Sequence, residues 1–312
     1  MKYLVMGAGA LGSVFGGLLA EQGHDVTFVG LDDHLKAMKS HGLRVSGIWG
    51  EHTINDVCAY YGTAELAGTF DVVLLSVKSY FTADVIRQTL PFITDETLVF
   101  SIQNGLGNWE AIAEVVGWNR TVGARVIFGA EIVEPGTAKV TVYADKVLLG
   151  SPTGEAPQDM IRQVCDDFNA AGIPSAISEE IAASLWGKIL YNSSLNPLGA
   201  ILNVPYGRLR DVPEVLDVMR RIIEEIFAVA RAKGLNLGYE GPDEYYRFLV
   251  EEQIPPTAEH RASMLQDMEL GRRTEIDALN GAISRYGREL GVPTPVNDVI
   301  TAIIKGLETK SR

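Results

Sequence analysis

A chain of 312 residues, 46% hydrophobic and 21% charged, is long enough for two domains with their own cores and too ordinary in composition for a disordered or fibrous protein. Its net charge of −13 excludes a surface built for nucleic acid or an anionic membrane. It leaves room for an anionic small molecule held by a few placed cations and backbone amides. Two cysteines, Cys58 and Cys165, make no disulfide framework, and the five histidines lack metal-ligand spacing, so no metal is expected. No apolar run reaches the ~18 residues of a spanning helix. The apolar N-terminus, with one lysine and five glycines by Gly17, has a reading other than a signal peptide. The expectation is a reduced, soluble, cytoplasmic protein.

In chain order, Lys2–Met6 reads as a buried strand, followed by a glycine run and a helix over Ser13–Gln22. Asp25–Val29, Asp71–Val77 and Thr97–Ile102 are further near-continuous apolar strands. Strands apolar on both faces belong in a parallel sheet covered by helices on each side, and their alternation with helices gives a doubly wound α/β domain. Between Gly123 and Gly150, short alternating strands with turns at Glu134-Pro135-Gly136 and Ala144-Asp145 suggest an antiparallel extension of that sheet. Beyond Pro174 the pattern turns helical, over Glu179–Leu195, Pro213–Lys233, Asp243–Glu251 and Ala258–Leu290. With Gly172-Ile173-Pro174 as the hinge, the division is an α/β domain over 1–174 and an all-α domain over 175–312. The apolar face of Pro213–Lys233 would pack internally or against a second copy, so a homodimer stays open.

Gly7-Ala8-Gly9-Ala10-Leu11-Gly12 fits G-x-G-x-x-G between a strand and a helix, the context of a dinucleotide phosphate loop. The helix N-terminus offers unpaired N–H groups and a positive dipole to phosphates. After the second strand the chain reads Gly30-Leu31-Asp32-Asp33-His34. An acidic residue such as Asp32 there would bind a ribose hydroxyl, whereas an arginine would take a 2′-phosphate, and none is present. Ser76-Val77-Lys78 and Gln103-Asn104-Gly105 end two parallel strands, where the ligand crevice of such a sheet lies; Asn-Gly is also an ordinary turn.

Lys188, Asn192 and Asn196 recur every four residues among Leu185, Trp186, Ile189, Leu190 and Leu195. On one helix they form a single polar stripe. A lysine among such neighbours has its ammonium destabilised and becomes a usable proton donor; an exposed polar face with a snorkelling lysine fits the spacing equally well. Pro197 disfavours helix at Asn196, so the helix is expected to end or kink there and turn the amide into a cleft. Ser263 and Glu275 are twelve residues apart, about 120° off a shared stripe on a straight helix. They reach one ligand only if Ser263 lies at the helix entrance or the helix bends near Gly271.

Together these segments resemble the ketopantoate reductase (2-dehydropantoate 2-reductase) family over essentially the whole chain. The resemblance implies a dinucleotide-binding domain followed by a helical domain, with the active site in the cleft between them. It implies reduction of a small-molecule substrate, 2-dehydropantoate, to (R)-pantoate by a reduced nicotinamide cofactor. Lys188 matches the catalytic lysine and Glu275 the essential glutamate, expected to hydrogen-bond a substrate hydroxyl. Asn192 and Asn196 match amides holding the lysine and the substrate's terminal hydroxyl, and Ser263 and Asn104 match carboxylate-binding positions. Gly7, Ala8, Gly9, Ala10, Leu11, Gly12, Asp32, Lys78 and Asn104 are expected at the cofactor.

The chain also departs from the family. Tyr206 stands where members often carry a further asparagine, and Leu31 replaces the usual arginine for the 2′-phosphate. NADP(H) follows from the resemblance, whereas Leu31, Asp32 and Asp33 favour NAD(H). Two other readings are carried: reduction of another branched 2-keto acid, and a non-catalytic dinucleotide sensor, which would need no proton donor.

Overall fold

In strand β1 (Lys2–Met6), Tyr3 and Val5 face one core while Leu4 and Met6 face another, and all four are buried. A strand covered on both sides has no polar face to alternate with, which is why it reads as an unbroken apolar run. The structure, a computed structural model, describes residues 1–310. From β1 the chain continues through α1 (Ala10–Glu21), β2 (Asp25–Gly30), α2 (Asp33–His41), β3 (Leu43–Gly47), β4 (His52–Ile54), β5 (Cys58–Tyr61) and β6 (Val72–Leu75). Then come α3 (Thr82–Thr89), β7 (Leu98–Ser101), α4 (Asn108–Val116), β8 (Thr121–Arg125), β9 (Phe128–Glu134), β10 (Thr137–Tyr143), β11 (Val147–Gly150), α5 (Gln158–Ala170) and β12 (Ser175–Ile177).

Eight of these strands form one sheet in the order β12-β11-β8-β7-β6-β1-β2-β5, parallel throughout except where β11 meets β8. Val14, Phe15 and Leu18 of α1 pack on one face, and Ile86, Ile112 and Val116 of α3 and α4 on the other. The expected α/β class is therefore present.

The region 123–150 differs from expectation. Only the pairing of β11 with β8 is an antiparallel extension of the main sheet, β8 itself running parallel to β7. The β9–β10 hairpin belongs to a second sheet, β4-β3-β10-β9, in which β10 runs parallel to β3. Its turn is tied to α2, because Gly136 N–H donates to His34 Nδ1 at 3.0 Å. Ala138 and Val140 are then buried in the same core as Leu43 and Val45 of β3.

The domain break also moves. The chain forms two units, Met1–Asn104 with Asn108–Ile181, and Gly105–Gly107 with the residues from Ala182 onward. Gly172-Ile173-Pro174 is a turn within the first unit, not a hinge between units. Gly172 sits at φ +78° after α5, Ile173 is buried, and Pro174 carbonyl accepts from Val147 N–H at 2.8 Å. That turn delivers β12 to the sheet edge.

The second unit holds α6 (Ile181–Leu202), α7 (Pro213–Ala232), α8 (Pro242–Phe248), α9 (Ser263–Glu269), α10 (Asn280–Leu290) and α11 (Pro295–Lys310). Pro197 neither ends α6 nor frees Asn196, contrary to the sequence expectation. Proline cannot donate to the carbonyl four residues earlier. Ser193 carbonyl instead accepts from the buried Asn280 Nδ2 at 3.1 Å. Asn280 Nδ2 also donates to Asn297 Oδ1, whose own amide donates to Glu225 Oε2 at 2.7 Å. The network replaces the missing helical bond, and α6 runs on as one element. On α7, Met219, Ile222, Ile223, Ile226 and Val229 are buried within this chain, so its apolar face is packed internally. The expected long helix over Ala258–Leu290 is broken by Gly271 at φ +64° and a short 3₁₀ turn at Ile276–Ala278.

Candidate active site

Three glycines at the junction of β1 and α1 differ in what surrounds them. Gly7 adopts φ +103°, and a Cβ there would lie 2.8 Å from Val77 N. A Cβ on Gly12 would lie 2.2 Å from Gly7 O and 2.5 Å from Ser76 Oγ, so this glycine sets the close approach of α1 to the loop. Around Gly9, by contrast, an added Cβ meets nothing within 4 Å. Gly9 is also the N-cap of α1 and supplies no side-chain cap, and no acidic residue stands in the first turn. The first helical N–H groups lack intrahelical acceptors, so the end of α1 presents donors and positive dipole beside open space. Those are the features a dinucleotide pyrophosphate needs, and the loop fits the group.

Ser76, just past β6, locks this arrangement by donating to Gly7 O at 2.6 Å. The sequence offered it only as part of a strand end. Lys78 follows at the entrance to a 3₁₀ turn and is half-buried. Gln103 faces inward: it accepts from Ser101 Oγ and donates to Val77 O and Thr82 Oγ1. It ties the ends of β6 and β7 together. Asn104 is half-buried, and its carbonyl accepts from Asn108 Nδ2 at 2.9 Å.

At the end of β2, Leu31 is 83% exposed. Asp32 is the N-cap of α2, accepting from Leu35 N–H through Oδ1 at 3.0 Å, and Asp33 is exposed in the first turn. His34 points away into the protein. Gly136 N–H donates to Nδ1, so the proton resides on Nε2, which donates to Ser13 Oγ at 2.9 Å. Burial lowers the His34 pKa below the ordinary histidine value. His34 is thus a neutral structural bridge.

In the helical unit, Lys188, Asn192 and Asn196 share α6 at intervals of four. Lys188 and Asn192 are half-buried, while Leu185, Trp186, Ile189 and Leu190 around them are buried. Asn196 is buried, and its Oδ1 accepts from the Tyr206 hydroxyl. Burial holds the Tyr206 phenol well above its usual range, so it remains a donor. The amide of Asn196 is thereby fixed with its NH₂ as the remaining face. That partnership was hidden in the sequence, where Tyr206 registers only as a substitution.

Ser263 opens α9 and is exposed, as one of the two geometric conditions required. Glu275 is half-buried and begins the 3₁₀ turn, with its carbonyl accepting from Ala278 N–H at 3.0 Å. The two do not share a helix. Gly105, at φ +89°, packs so tightly on Ala278 that a Cβ would lie 2.5 Å from Ala278 Cβ, and Leu106 N–H donates to Ala278 O at 2.7 Å.

Residues 3–154 match the family described as ketopantoate reductase PanE/ApbA, and residues 180–308 match ketopantoate reductase PanE/ApbA C terminal. The chain belongs to the ketopantoate reductase family. It is 39% identical to a 2-dehydropantoate 2-reductase of Aquifex aeolicus, covering 99% of this chain and 97% of that one. Among solved structures of the family, it is similar to a ketopantoate reductase from Ralstonia eutropha, at 32% identity and a TM-score of 0.89, covering 100% and 99% of the two chains. D-mandelate dehydrogenase, solved with NADH and anilino(oxo)acetate, is similar at 26% identity and a TM-score of 0.89, with the same coverage. No helix among the described residues is long and apolar enough to cross a membrane.

Proposed function

We propose that this chain reduces 2-dehydropantoate to (R)-pantoate. The observation that carries the reading is the Lys188–Asn192–Asn196 stripe, held on one rigid helix despite Pro197, in the same unit as Glu275. The names of its relatives support the substrate. When bound at the glycine loop, the reduced nicotinamide cofactor supplies a hydride to C2 of the keto acid. Negative charge then builds on the carbonyl oxygen, where the Lys188 ammonium stabilises it and transfers one proton, ending as a neutral amine. Asn192 orients Lys188. Asn196, its carbonyl oxygen held by Tyr206, offers its NH₂ to the terminal hydroxyl oxygen of the substrate. Glu275 accepts a hydrogen bond from a substrate hydroxyl, and Ser263 and Asn104 take the carboxylate.

The cofactor preference follows from the end of β2. Leu31 brings no charge, Asp32 and Asp33 repel a phosphate, and His34 is neutral and turned inward. A free 2′-hydroxyl meets the Asp32 carboxylate without penalty. NADH is therefore used at least as well as NADPH, with Lys78 on the cofactor in either case. Initial rates with 2-dehydropantoate and each reduced nicotinamide test both statements. Absence of turnover with either cofactor refutes the activity; a hundredfold preference for NADPH refutes the specificity.

A second reading is favoured by two observations. Tyr206 donates to Asn196 Oδ1 and takes up one of that oxygen's two acceptor sites, leaving less of it for a substrate hydroxyl. The similarity to D-mandelate dehydrogenase points the same way, toward a 2-keto acid without that hydroxyl. A higher kcat/KM for such a keto acid than for 2-dehydropantoate selects this reading.

A further inference from the structure

The loop that carries Glu275 is tied down on both sides by a single helix. Before it, Thr274 is buried, and both its N–H and its hydroxyl donate to Glu308 Oε1, at 2.8 and 2.5 Å. After it, Asp277 Oδ1 lies 2.5 Å from Lys305 Nζ. Lys305 and Glu308 are three residues apart on α11 and therefore on one face of it. The second oxygen of Asp277 accepts from Arg273 Nη2 at 3.1 Å, which closes the loop across Glu275. Lys305 and Arg273 together hold the Asp277 carboxyl below its ordinary pKa against the opposing effect of burial. Inside the loop, Ile276 N–H donates to Thr274 Oγ1 and Ala278 N–H to Glu275 O. The five residues from Thr274 to Ala278 are thus bonded to one another, and Thr274 and Asp277, on either side of Glu275, are bonded to α11.

We propose that Glu308 and Lys305 are positioning residues for the reduction, clamping residues 274–277 so that the Glu275 carboxylate is presented to the substrate in one place. The proposal rests on the reading that Glu275 contacts substrate. Glu308 is the stronger arm. It receives two charge-assisted bonds at a buried threonine, whereas the Lys305–Asp277 pair is about half exposed and partly screened. A displacement of a contacting group by about 1 Å can cost ~10²-fold in rate. Removing the strong arm is accordingly expected to cost ~10-fold or more, and the weak arm about threefold.

The test compares Glu308→Ala, Glu308→Gln, Lys305→Met and Glu275→Ala for kcat/KM with 2-dehydropantoate, cofactor affinity and Tm. Glu308→Ala should lose ~10-fold or more in kcat/KM without a change in cofactor Kd. Glu308→Gln should stay within about twofold of wild type, because the amide oxygen still accepts from both Thr274 donors. Combined with Glu275→Ala, the Glu308→Ala loss should vanish, since there is no carboxylate left to position. Full kcat/KM in Glu308→Ala with a lowered Tm makes the clamp merely structural and overturns the proposal while Glu275 keeps its role. Losses that multiply in the double variant overturn it as well. A wild-type rate in Glu275→Ala refutes the prior reading, and the clamp falls with it. If Glu308→Ala does not fold, Lys305→Met at the exposed arm carries the same comparison, and an unchanged kcat/KM there counts against the clamp.

Discussion

Gly9→Ala and Gly12→Ala lie three residues apart, at the N-cap and in the first turn of α1, and should fail in different ways. At Gly12 the new methyl would stand 2.2 Å from Gly7 O and 2.5 Å from Ser76 Oγ, so backbone and serine must both give way. Overpacking of this kind costs ~1–3 kcal/mol, and loss of the Ser76–Gly7 hydrogen bond adds about 1 kcal/mol. For a unit of this size that lowers Tm by roughly 5–15 °C. At Gly9 the methyl enters open space, and φ −79°, ψ −165° suits alanine. Stability should stay within ~1 kcal/mol of wild type. Cofactor affinity should not. A methyl held where the pyrophosphate approaches breaks at least two amide–phosphate bonds, worth about 1.5–3 kcal/mol each, so Kd should rise at least ~100-fold. Thermal melts of the cofactor-free protein and fluorescence titration with NADH and NADPH give the two quantities. Equal losses of Tm in both variants, or wild-type affinity in Gly9→Ala, would falsify the assignment of separate roles.

Lys188→Ala should keep cofactor affinity and lower kcat by ~10²-fold or more; near-normal turnover removes Lys188 as proton donor. Glu275→Ala should depress kcat/KM strongly for 2-dehydropantoate and less for an analogue lacking the terminal hydroxyl, and equal losses would show that it does not read that group. Leu31→Arg should raise kcat/KM for NADPH relative to NADH by at least ~10-fold, the ~1.4 kcal/mol or more expected of a charge-assisted phosphate contact; an unchanged ratio means this position does not face the 2′-carbon. The fourth expectation concerns pH. Burial lowers the folded-state pKa of His34, so the unfolded chain takes up the proton first. The stability His34 contributes is complete above about pH 6.5 and is lost as pH falls through its depressed folded value. Melts between pH 7.5 and 5 should show a decline that His34→Gln reduces, and parallel curves for the two proteins would refute it.

The dinucleotide unit was legible in the sequence because its strands are buried on both faces and its glycine loop is local. What stayed hidden depends on partners distant along the chain. β12 is only three residues long, and nothing in Ser175–Ile177 says that Val147 will pair with it. The β9–β10 hairpin has strand-like alternation, but its choice of β3 over the main sheet follows from tertiary bonds such as His34 to Gly136. At the site, the helical stripe of Lys188, Asn192 and Asn196 is a matter of spacing and could be read directly. The state of Asn196 could not, since it depends on Tyr206, and the seat of Glu275 depends on Glu308 and Lys305. Pro197 misled for the same reason: local rules describe a break that a remote asparagine repairs.

That repair has a consequence for the order in which the molecule assembles. Until residue 280 has been synthesised, the Ser193 carbonyl opposite Pro197 lacks the donor that replaces its helical bond. The emerging α6 can wind as far as Asn196, but its continuation to Leu202 gains its full hydrogen bonding only when α10 docks. Asn297 and Glu225 then seat the asparagine. The last turn of α6, beyond Pro197, is therefore completed late, as a product of closing the helical unit rather than a seed for it.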